Sequence, residues 1–303
     1  MKKLNLSIVI PTRNRTIEIK KTLEYLSKSS FFFKEIIIVD SSDLKNRLSK
    51  KVLNKYNKIN VKLIFSKPSI SLQRNIGLKK VNKKSNYVMF LDDDISFYKN
   101  SLKKMYYFIK KLKIFNGLGF NLIIKNENNI VEKIKKSYFF KFLGIYDNRS
   151  GVITKSGWQT KAINLKKNLY VEWLPTQAVI YNFQVVKEKK FDLRYGKYSY
   201  LEDLDFSYSL RKNLIIYSKA KYHSDNIVKR NLLMFGNKEI INRFIFVKKF
   251  KINLKYFYLG CLVLVLKHLL SFLLLKPKFF FRFIGNIQGF LKIFFISDIG
   301  KNK

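Results

Sequence analysis

The segment YVMFLDDDISFY (Tyr87–Tyr98) joins a short apolar run to three consecutive carboxylates, Asp92, Asp93 and Asp94. The run has the length and composition of a strand that is buried on both faces of a sheet. The chain as a whole is basic, with 61 Lys and Arg residues against 20 Asp and Glu residues. Because adjacent like charges repel one another, we expect a cation or a hydrogen-bonding ligand to hold this acidic cluster.

Three similar runs come earlier in the chain, and each of them also ends in polar residues. They are LSIVIPT (Leu6–Thr12), EIIIVDSS (Glu35–Ser42) and VKLIFS (Val61–Ser66). The stretches between the runs are helix-like, namely Thr16–Ser29, Leu44–Tyr56 and Ser71–Val81. This alternation predicts an α/β domain with a Rossmann-like, mostly parallel sheet, flanked by helices and made of strands that are buried on both faces.

Polar residues stand at the carboxyl ends of these predicted strands. Thr12 and Arg13 follow the first run, Asp40 ends the second, and Asp92–Asp94 follow the last. In doubly wound sheets, ligands bind just outside the carboxyl ends of the strands. The sequence therefore predicts a ligand site at one edge of the sheet.

The length and composition limit the possible compartments. The 303 residues suffice for one large domain or two small ones, and 47% of them are hydrophobic. Cys261 is the single cysteine, which excludes an internal disulfide and fits a reducing compartment. The apolar run in the N-terminal MKKLNLSIVIPTRNR is too short for a secretory signal. We therefore expect the start of the chain to stay in the cytosol.

The formal net charge of +41 has three possible explanations. Nucleic-acid binders are basic because phosphate neutralisation drives their affinity. Proteins on anionic membranes are basic because each well-placed Lys or Arg contributes about 1 kcal/mol. An AT-rich coding sequence, which favours Lys, Ile, Asn and Phe, would simply produce a solvated basic surface. The sequence has no zinc-finger spacing, aromatic RNA-binding signature or dense arginine cluster, so we expect no nucleic-acid partner.

The last 73 residues, 231–303, contain 13 Lys and Arg residues and 2 acids among many Phe, Leu and Ile residues. The 19 residues Phe257–Leu275 are just long enough to cross a bilayer core. Lys267 and His268 interrupt this segment, however, and are costly in a lipid-facing span. The segment Phe279–Ile296 suits a helix that lies in the membrane interface. We expect this tail to attach to an anionic membrane surface; a true span and packing on protein are the alternatives.

Five motifs together resemble a known family. SIVIPTRNR, IIIVDSSD, LQRNIGL, FLDDD and YLEDLDFSYSLRK follow one another in the order and spacing of glycosyltransferase family 2. Members of this family are inverting enzymes with the GT-A fold, and the resemblance covers about Leu4–Lys229. It implies a GT-A domain at 1–230, with a nucleotide-binding part at about 1–98 and an acceptor and catalytic part at about 99–230, followed by the tail.

The resemblance also assigns the nucleotide pocket. It implies that Pro11, Thr12 and Arg13 shape this pocket, that Asp40 recognises the base and that Arg74 contacts the nucleotide. In many relatives the position of Arg13 is aromatic, which leaves base stacking at this position open. A helix cap for Asp40 and a surface position for Arg74 are the alternative interpretations.

A metal ion is expected at the DxD motif. Sugar transfer from a nucleotide diphosphate needs a divalent cation on the leaving diphosphate, and oxygen ligands suit Mg²⁺ or Mn²⁺. The resemblance implies that Asp92 faces the ribose and also contributes to the metal site. It places Asp94 on the metal and gives Asp93 a supporting or direct role. His223 would reach the metal or the diphosphate, since neutral imidazole is a good ligand; an ordinary structural role is the alternative.

Catalysis is assigned to the acidic pair in YLEDLD. An inverting displacement needs a base for the acceptor hydroxyl proton. The resemblance implies that Asp203 is this base and that Glu202 is its neighbour, whose charge should raise the proton affinity of Asp203. Asp205 is expected to be structural. The family's usual glycine just before this pair is absent, since Tyr200 and Leu201 stand there, a change that should affect the acceptor pocket but spares the carboxylates.

The two tryptophans, Trp158 and Trp173, lie between the acidic motifs, where the family builds its acceptor site, although a place in the core is the alternative.

The sequence thus predicts a glycosyltransferase on the cytoplasmic face of the cell membrane. It would move a sugar from a nucleotide-diphosphate donor to a glycan, in particular a lipid-linked oligosaccharide, as in bacterial surface-polysaccharide assembly. Two other functions remain open at this point, a nucleotidyltransferase and a noncatalytic basic binding protein.

Overall fold

The computed structural model describes residues 4–29, 32–56, 59–112, 114–124, 138–196, 199–224, 231–274 and 277–299. The chain forms two compact units, and each is assembled from two separate segments. The first unit comprises Met1–Asn126 and Ala162–Asn226, and the second comprises Glu127–Lys161 and Ile227–Lys303. The described part of the second unit's first segment, residues 138–161, is grouped with the C-terminal helices, and the domain boundary near residue 230 that the sequence suggests stays a prediction.

Nine strands of the described residues form one sheet in the first unit. Their order is β3-β2-β1-β4-β8-β6-β9-β5, and β7 pairs with β9. They are β1 (Leu6–Thr12), β2 (Glu35–Asp40), β3 (Asn60–Phe65), β4 (Tyr87–Leu91), β5 (Ile95–Phe97), β6 (Gly117–Leu122), β7 (Leu169–Val171), β8 (Ala178–Asn182) and β9 (Leu214–Ser224). The first four strands are mutually parallel, as is β6 with β9, and the remaining pairings are antiparallel.

The helices lie where the sequence pattern placed them, with one difference. The predicted helix Leu44–Tyr56 is a 3₁₀ turn at Leu44–Asn46 followed by a five-residue helix. A second 3₁₀ turn occupies Leu193–Tyr195. The α-helices of the described residues are α1 (Thr16–Ser27), α2 (Lys50–Asn54), α3 (Ile70–Lys79), α4 (Ser101–Lys111), α5 (Tyr138–Phe142), α6 (Phe183–Val186), α7 (Glu202–Tyr208), α8 (Leu232–Lys249), α9 (Leu254–Leu273) and α10 (Lys278–Ile299).

The sheet has a hydrophobic core on each face, because successive strand residues point to opposite faces. In β1, Ile8 and Ile10 pack with α1 on one face, while Val9 faces α3 on the other. A Cβ atom at Gly77 of α3 would clash with the Val9 side chain, so glycine is required there for close packing. Strand β3 departs from the prediction of full burial: its residues are half-buried or exposed because β3 is the edge strand of the sheet.

In the second unit, α8 and α10 approach closely through glycines. A Cβ atom on Gly289 of α10 would lie 2.6 Å from the carbonyl oxygen of Asn237, and Gly236 and Gly285 are similarly crowded. Polar groups are buried in this helical unit. Asn286 donates from Nδ2 to the Gly236 carbonyl oxygen at 2.9 Å, and its Oδ1 is 2.6 Å from His268 Nδ1. These contacts fix α8, α9 and α10 against one another.

Helix α9 has one buried and one exposed apolar face. Among the described residues, it is the one helix long and apolar enough to cross a membrane, with a mean hydropathy of 1.8 and 28% of its most apolar window buried. Its inward residues include Gly260, Cys261 and His268. Its outward stripe consists of leucines with exposed fractions from 46% to 63%: Leu262, Leu266, Leu270 and Leu273.

Candidate active site

The carboxyl ends of β1, β2 and β4 meet at one edge of the sheet, because these strands are parallel neighbours. Thr12 is in register with Asp40. From the end of β1, Thr12 Oγ1 donates a 2.6 Å hydrogen bond to Asp93 Oδ2. Gln73 of α3 donates to the carbonyl oxygens of Thr12 and Val39, which fixes the neighbouring strand ends. The structure thus brings the polar strand ends together, as their positions in the sequence predict.

Arg15 is the first of two arginines that hold the aspartates. It directly precedes α1, and its Nη1 atom lies 2.9 Å from both Asp93 Oδ1 and Asp94 Oδ2. The side chain of Asp93 is 5% exposed, and that of Asp94 is 10% exposed. Burial raises the pKa of Asp93 to about 6, aided by the charge of Asp94 and opposed by hydrogen bonds from Thr12 and Arg15. One guanidinium therefore neutralises part of a tightly packed acidic turn.

Arg74 of α3 is the second arginine, and its side chain is 2% exposed. Its Nη2 donates to Asp92 Oδ1 and its Nη1 donates to Glu202 Oε1, both at 2.9 Å. Its guanidinium also lies 5.6 Å from the centre of the Phe191 ring. Burial raises the pKa of Asp92, as do the charges of Asp94 and Asp203, whereas Arg74 opposes this shift. Arg74 therefore connects the aspartate turn to the helix that carries the predicted base.

Helix α7 places the acidic pair. Leu201 precedes it with a φ of +79°, a left-handed conformation that glycine adopts most easily. Glu202 is buried, and burial followed by the charge of Asp203 raises its pKa. Asp203 is half-buried, and its Oδ1 accepts a 2.7 Å hydrogen bond from the Leu204 amide. Asp205 is buried and accepts from the Tyr195 hydroxyl at 3.1 Å, which fits the structural role predicted for it.

His223 lies across the sheet ladder from the aspartate turn. Strand β5 begins directly after Asp94, and in its pairing with β9 Ser96 is opposite His223. The Tyr98 ring contacts the imidazole edge to face, with 5.2 Å between the ring centres. Diagonal neighbours on such a ladder are within reach of long side chains. The register places His223 diagonally from Asp94, the residue that precedes β5, and a contact of the imidazole with the metal or the diphosphate stays a prediction.

The carboxylates and the imidazole described above suit a divalent cation that is also held by the phosphates of a bound substrate. Within the part of the chain that the structure describes, no three His, Cys, Asp or Glu side chains converge as a preformed metal cage. Mg²⁺ sites commonly use one or two carboxylates together with substrate phosphates, so such a cage is not required. The five carboxylates around the two arginines, Asp92, Asp93, Asp94, Glu202 and Asp203, exceed the positive charge that these arginines supply.

The predicted base-binding loop is tightly organised. Asp40 is fully buried, and its two oxygens accept the amides of Ser42 and Leu48 at 2.8 and 2.9 Å. Arg13 is exposed, and its Nη2 lies 3.7 Å from Asp43. Pro11 lies within β1 and is buried. Asp40 therefore shapes the loop after β2, and direct contacts of Asp40, Arg13 and Arg74 with a nucleotide stay predictions.

The two tryptophans are in different units. Trp158 belongs to the second unit, where its ring packs against Gly260 and lies 6.0 Å from the Phe257 ring and 5.1 Å from the Arg243 guanidinium. Trp173 belongs to the first unit and is half-buried. Trp158 is also half-buried, and the acceptor role stays a prediction for both tryptophans.

Sequence reasoning missed Arg15 and Gln73. Both lie within the quoted motifs, SIVIPTRNR and LQRNIGL, but neither was assigned a role. Arg15 could have been suspected, because the three aspartates need a cation and Arg15 is a basic residue just beyond the end of a neighbouring strand. Because the loop after β1 sets the direction of the Arg15 side chain, the sequence pattern alone does not identify it.

Solved structures share this fold. S. aureus TarS 1–349 in complex with UDP-GlcNAc is similar with a TM-score of 0.54 at 18% identity, covering 82% of this chain and 66% of TarS. The mannosyltransferase PcManGT from Pyrobaculum calidifontis, solved with GDP-Man and Mn²⁺, is similar with a TM-score of 0.54 at 10% identity, covering 96% and 87%. These likenesses confirm the predicted GT-A-like α/β fold.

The family is established by sequence. The Glycosyl transferase family 2 model matches residues 7–166, which is more than half of the chain, so the protein belongs to glycosyltransferase family 2. The minor teichoic acid biosynthesis protein GgaA of Bacillus subtilis (strain 168) is 34% identical over 109 residues. That match covers 34% of this chain and 24% of GgaA, so the chain matches about a quarter of this relative's length.

Proposed function

We propose that this glycosyltransferase moves a sugar of the hexosyl or deoxyhexosyl type from a nucleotide-diphosphate donor to a glycan acceptor, with inversion at the anomeric carbon. The observation that carries the proposal is the Arg74 bridge. Arg74 joins Asp92, on the donor side of the site, to Glu202, next to the proposed base Asp203. Donor and acceptor chemistry would thus take place around one buried guanidinium.

Asp203 would act as the general base. Asp203 is partly exposed, whereas Glu202 is buried against Arg74, so Asp203 is the acid of this pair that an acceptor hydroxyl would approach. As the acceptor oxygen bonds to the anomeric carbon, its proton passes to the Asp203 carboxylate. The bond between the anomeric carbon and the diphosphate oxygen breaks, and its electron pair leaves with the diphosphate. Glu202 would hold Asp203 in place through the start of α7.

Asp94 and His223, with a contribution from Asp92, would hold Mg²⁺ or Mn²⁺. When bound, this ion supplies positive charge that stabilises the leaving diphosphate. The oxygen and imidazole donors described above support this assignment, and the related fold of PcManGT was solved with Mn²⁺. The nucleotide complexes of TarS and PcManGT support a nucleotide-sugar donor for this fold.

The acceptor would be a growing cell-surface polysaccharide, carried on a lipid. The similarity to GgaA, a protein of teichoic acid biosynthesis, supports a surface polymer. The exposed leucine stripe of α9 supports a lipid surface, since exposed apolar surface of this kind is suited to contact with lipid. The 13 basic residues of the tail would draw it to anionic lipid at the cytoplasmic face of the cell membrane.

The reaction is tested by Mn²⁺-dependent release of nucleoside diphosphate from a panel of nucleotide sugars, with and without lipid extract as acceptor. We expect release from one donor, reduced at least about 100-fold in Asp94→Ala and Asp203→Asn, which remove a metal ligand and the general base. Glu24→Gln is the matched control, because Glu24 is an exposed acid on α1. Full activity of both site variants would contradict the proposal and favour a noncatalytic binding protein.

Membrane attachment is tested separately by flotation of the full chain with vesicles. We expect binding to phosphatidylglycerol vesicles that weakens in Leu262→Ser/Leu266→Ser/Leu270→Ser, because these substitutions remove apolar surface from the outward face of α9. Leu44→Ser/Leu193→Ser is the control, since both leucines are exposed but lie in the first unit. Equal binding by all three proteins would show that this face does not contact lipid.

A further inference from the structure

Arg15 occupies an oxygen of the carboxylate that the proposed metal ion would need. Its Nη1 is 2.9 Å from Asp94 Oδ2 and equally close to Asp93 Oδ1. An arginine side chain stays protonated in proteins, so Arg15 is a permanent positive charge beside Asp94.

A divalent cation and this guanidinium cannot share Asp94 without repulsion. The Asp93 carboxylate is differently placed, since Thr12 Oγ1 also holds it and its side chain is almost fully buried. If a metal ion approached Asp94, Arg15 could keep its bond to Asp93 while releasing Asp94. The side chain of Arg15 is 32% exposed, which leaves room for such a movement.

Other donors of Arg15 are available for a ligand. Among the described residues, its hydrogen bonds all run from Nη1, so Nε and Nη2 have no protein partner there. Guanidinium groups match the oxygens of phosphates with two parallel N–H donors. A nucleoside diphosphate bound at Asp94 through the metal would therefore also offer oxygens to Arg15.

We propose that Arg15 is an internal counter-ion of the metal site. It holds Asp93 and Asp94 together while the donor is absent and hinders a divalent cation from binding alone. When the cation arrives with the diphosphate, Arg15 releases Asp94 and donates to the phosphate oxygens. This inference rests on the proposed function, and it makes metal binding strongly dependent on the nucleotide.

The test measures Mn²⁺ binding, not turnover. Free Mn²⁺ is followed by electron paramagnetic resonance in titrations of the full chain, with Mn²⁺ alone and with Mn²⁺ plus UDP or GDP. For the wild type we expect weak binding of Mn²⁺ alone and binding at least roughly tenfold tighter with one of the nucleotides. For Arg15→Gln we expect Mn²⁺ alone to bind roughly tenfold more tightly than to the wild type, with a smaller gain from the nucleotide.

Two further variants make the result specific. Arg15→Lys keeps the charge and should retain weak binding of Mn²⁺ alone. Arg194→Gln removes an exposed arginine that pairs with Asp192, and it should match the wild type.

Thermal unfolding in EDTA and in Mn²⁺ checks folding: Arg15→Gln should lose stability in EDTA and recover it with Mn²⁺ alone. If Arg15→Gln does not fold, Arg15→Met provides the same loss of charge.

The outcomes separate the two proposals. If the wild type binds Mn²⁺ with a nucleotide but the loss of charge at Arg15 leaves binding of Mn²⁺ alone unchanged or weaker, the role of Arg15 is refuted and the proposed function stands. If no variant binds Mn²⁺ even with a nucleotide, the metal assignment and the role of Arg15 both fail. Tighter binding of Mn²⁺ alone in the neutral variants supports the inference.

Discussion

At the scale of single residues, Leu201 shows how two opposing effects are balanced. Its left-handed conformation costs an L-residue about 1–2 kcal/mol, yet its side chain is 2% exposed and belongs to the core. Full burial of a leucine side chain contributes about 1.5–3 kcal/mol, and its truncation in a core usually costs 2–5 kcal/mol. Burial therefore outweighs the backbone strain, which explains how the chain tolerates leucine at a position that favours glycine.

This balance predicts that glycine at position 201 gives a more stable protein than alanine does. Both Leu201→Gly and Leu201→Ala should destabilise the protein, because both remove the buried side chain. Glycine also removes the strain, so Leu201→Gly should be more stable than Leu201→Ala by about 1 kcal/mol. The measurement is the free energy of unfolding in urea. A larger free energy of unfolding for Leu201→Ala than for Leu201→Gly would contradict the conclusion that the φ angle of Leu201 is strained.

The buried Glu202 predicts a pH dependence of stability. Burial and the charge of Asp203 raise the pKa of Glu202 in the folded state. A raised pKa means that the folded protein holds this proton more tightly than the unfolded chain does. The resulting stabilisation is fully present below the ordinary pKa of glutamate and is lost as the pH rises through the elevated pKa.

Glu202→Gln should remove this contribution. The free energy of unfolding, measured in EDTA from pH 4 to pH 9, should fall less steeply with rising pH in the variant than in the wild type. Glu24→Gln is the control, since Glu24 is exposed and pairs with Lys28 on the surface of α1. Identical pH profiles for Glu202→Gln and the wild type would show that Glu202 is not the group responsible.

At the scale of elements, the sequence predicted the strands of the parallel half and the acidic turn. Continuous β-branched runs are specific to strands buried on both faces, so β1, β2 and β4 could be located closely. The partial exposure of β3 could not be predicted in the same way, because the order of strands decides which one lies at the edge. The directions of Arg15 and Arg74 were also inaccessible, since they depend on how α1 and α3 pack on the sheet.

The close packing of α8 and α10 gives a prediction at this scale. Alanine usually stabilises a helix relative to glycine by about 1 kcal/mol. At Gly285, however, a Cβ atom would clash with the backbone of Leu233, so Gly285→Ala should destabilise the second unit. Gln288→Ala, at an exposed position of α10, is the control and should be nearly neutral. Thermal unfolding compares them, and a gain in stability for Gly285→Ala would contradict the packing described.

At the scale of the whole molecule, the acidic site and the basic surface have separate roles. The chain carries a net charge of +41, yet the described carboxylates at the site are grouped around Arg15 and Arg74. A strongly positive protein attracts anions over distances set by the ionic strength. The basic surface would thus raise the local concentration of the proposed nucleotide-sugar donor near the acidic site.

The grouping into two units predicts the result of a truncation. A chain that ends at residue 230, the boundary suggested by sequence, loses α8, α9 and α10 but keeps the segment that packs with them. Trp158 would then lose its contacts with Gly260, Phe257 and Arg243. We expect this truncated chain to aggregate, as measured by size-exclusion chromatography after expression beside the full chain. A soluble, monomeric product would show that residues 127–161 are stable without the C-terminal helices.

The same contacts also mean that Trp158 has to wait for its packing partners while the chain is being synthesised. Trp158 leaves the ribosome well before Gly260, and at about 5–20 residues per second the delay between them is roughly 5–20 s. During this interval the residues that complete the first unit emerge, up to Asn226. The sheet of the first unit can therefore form while the tryptophan is still exposed. A chaperone or a nearby lipid surface that covers this segment would protect the nascent chain until its last helices arrive.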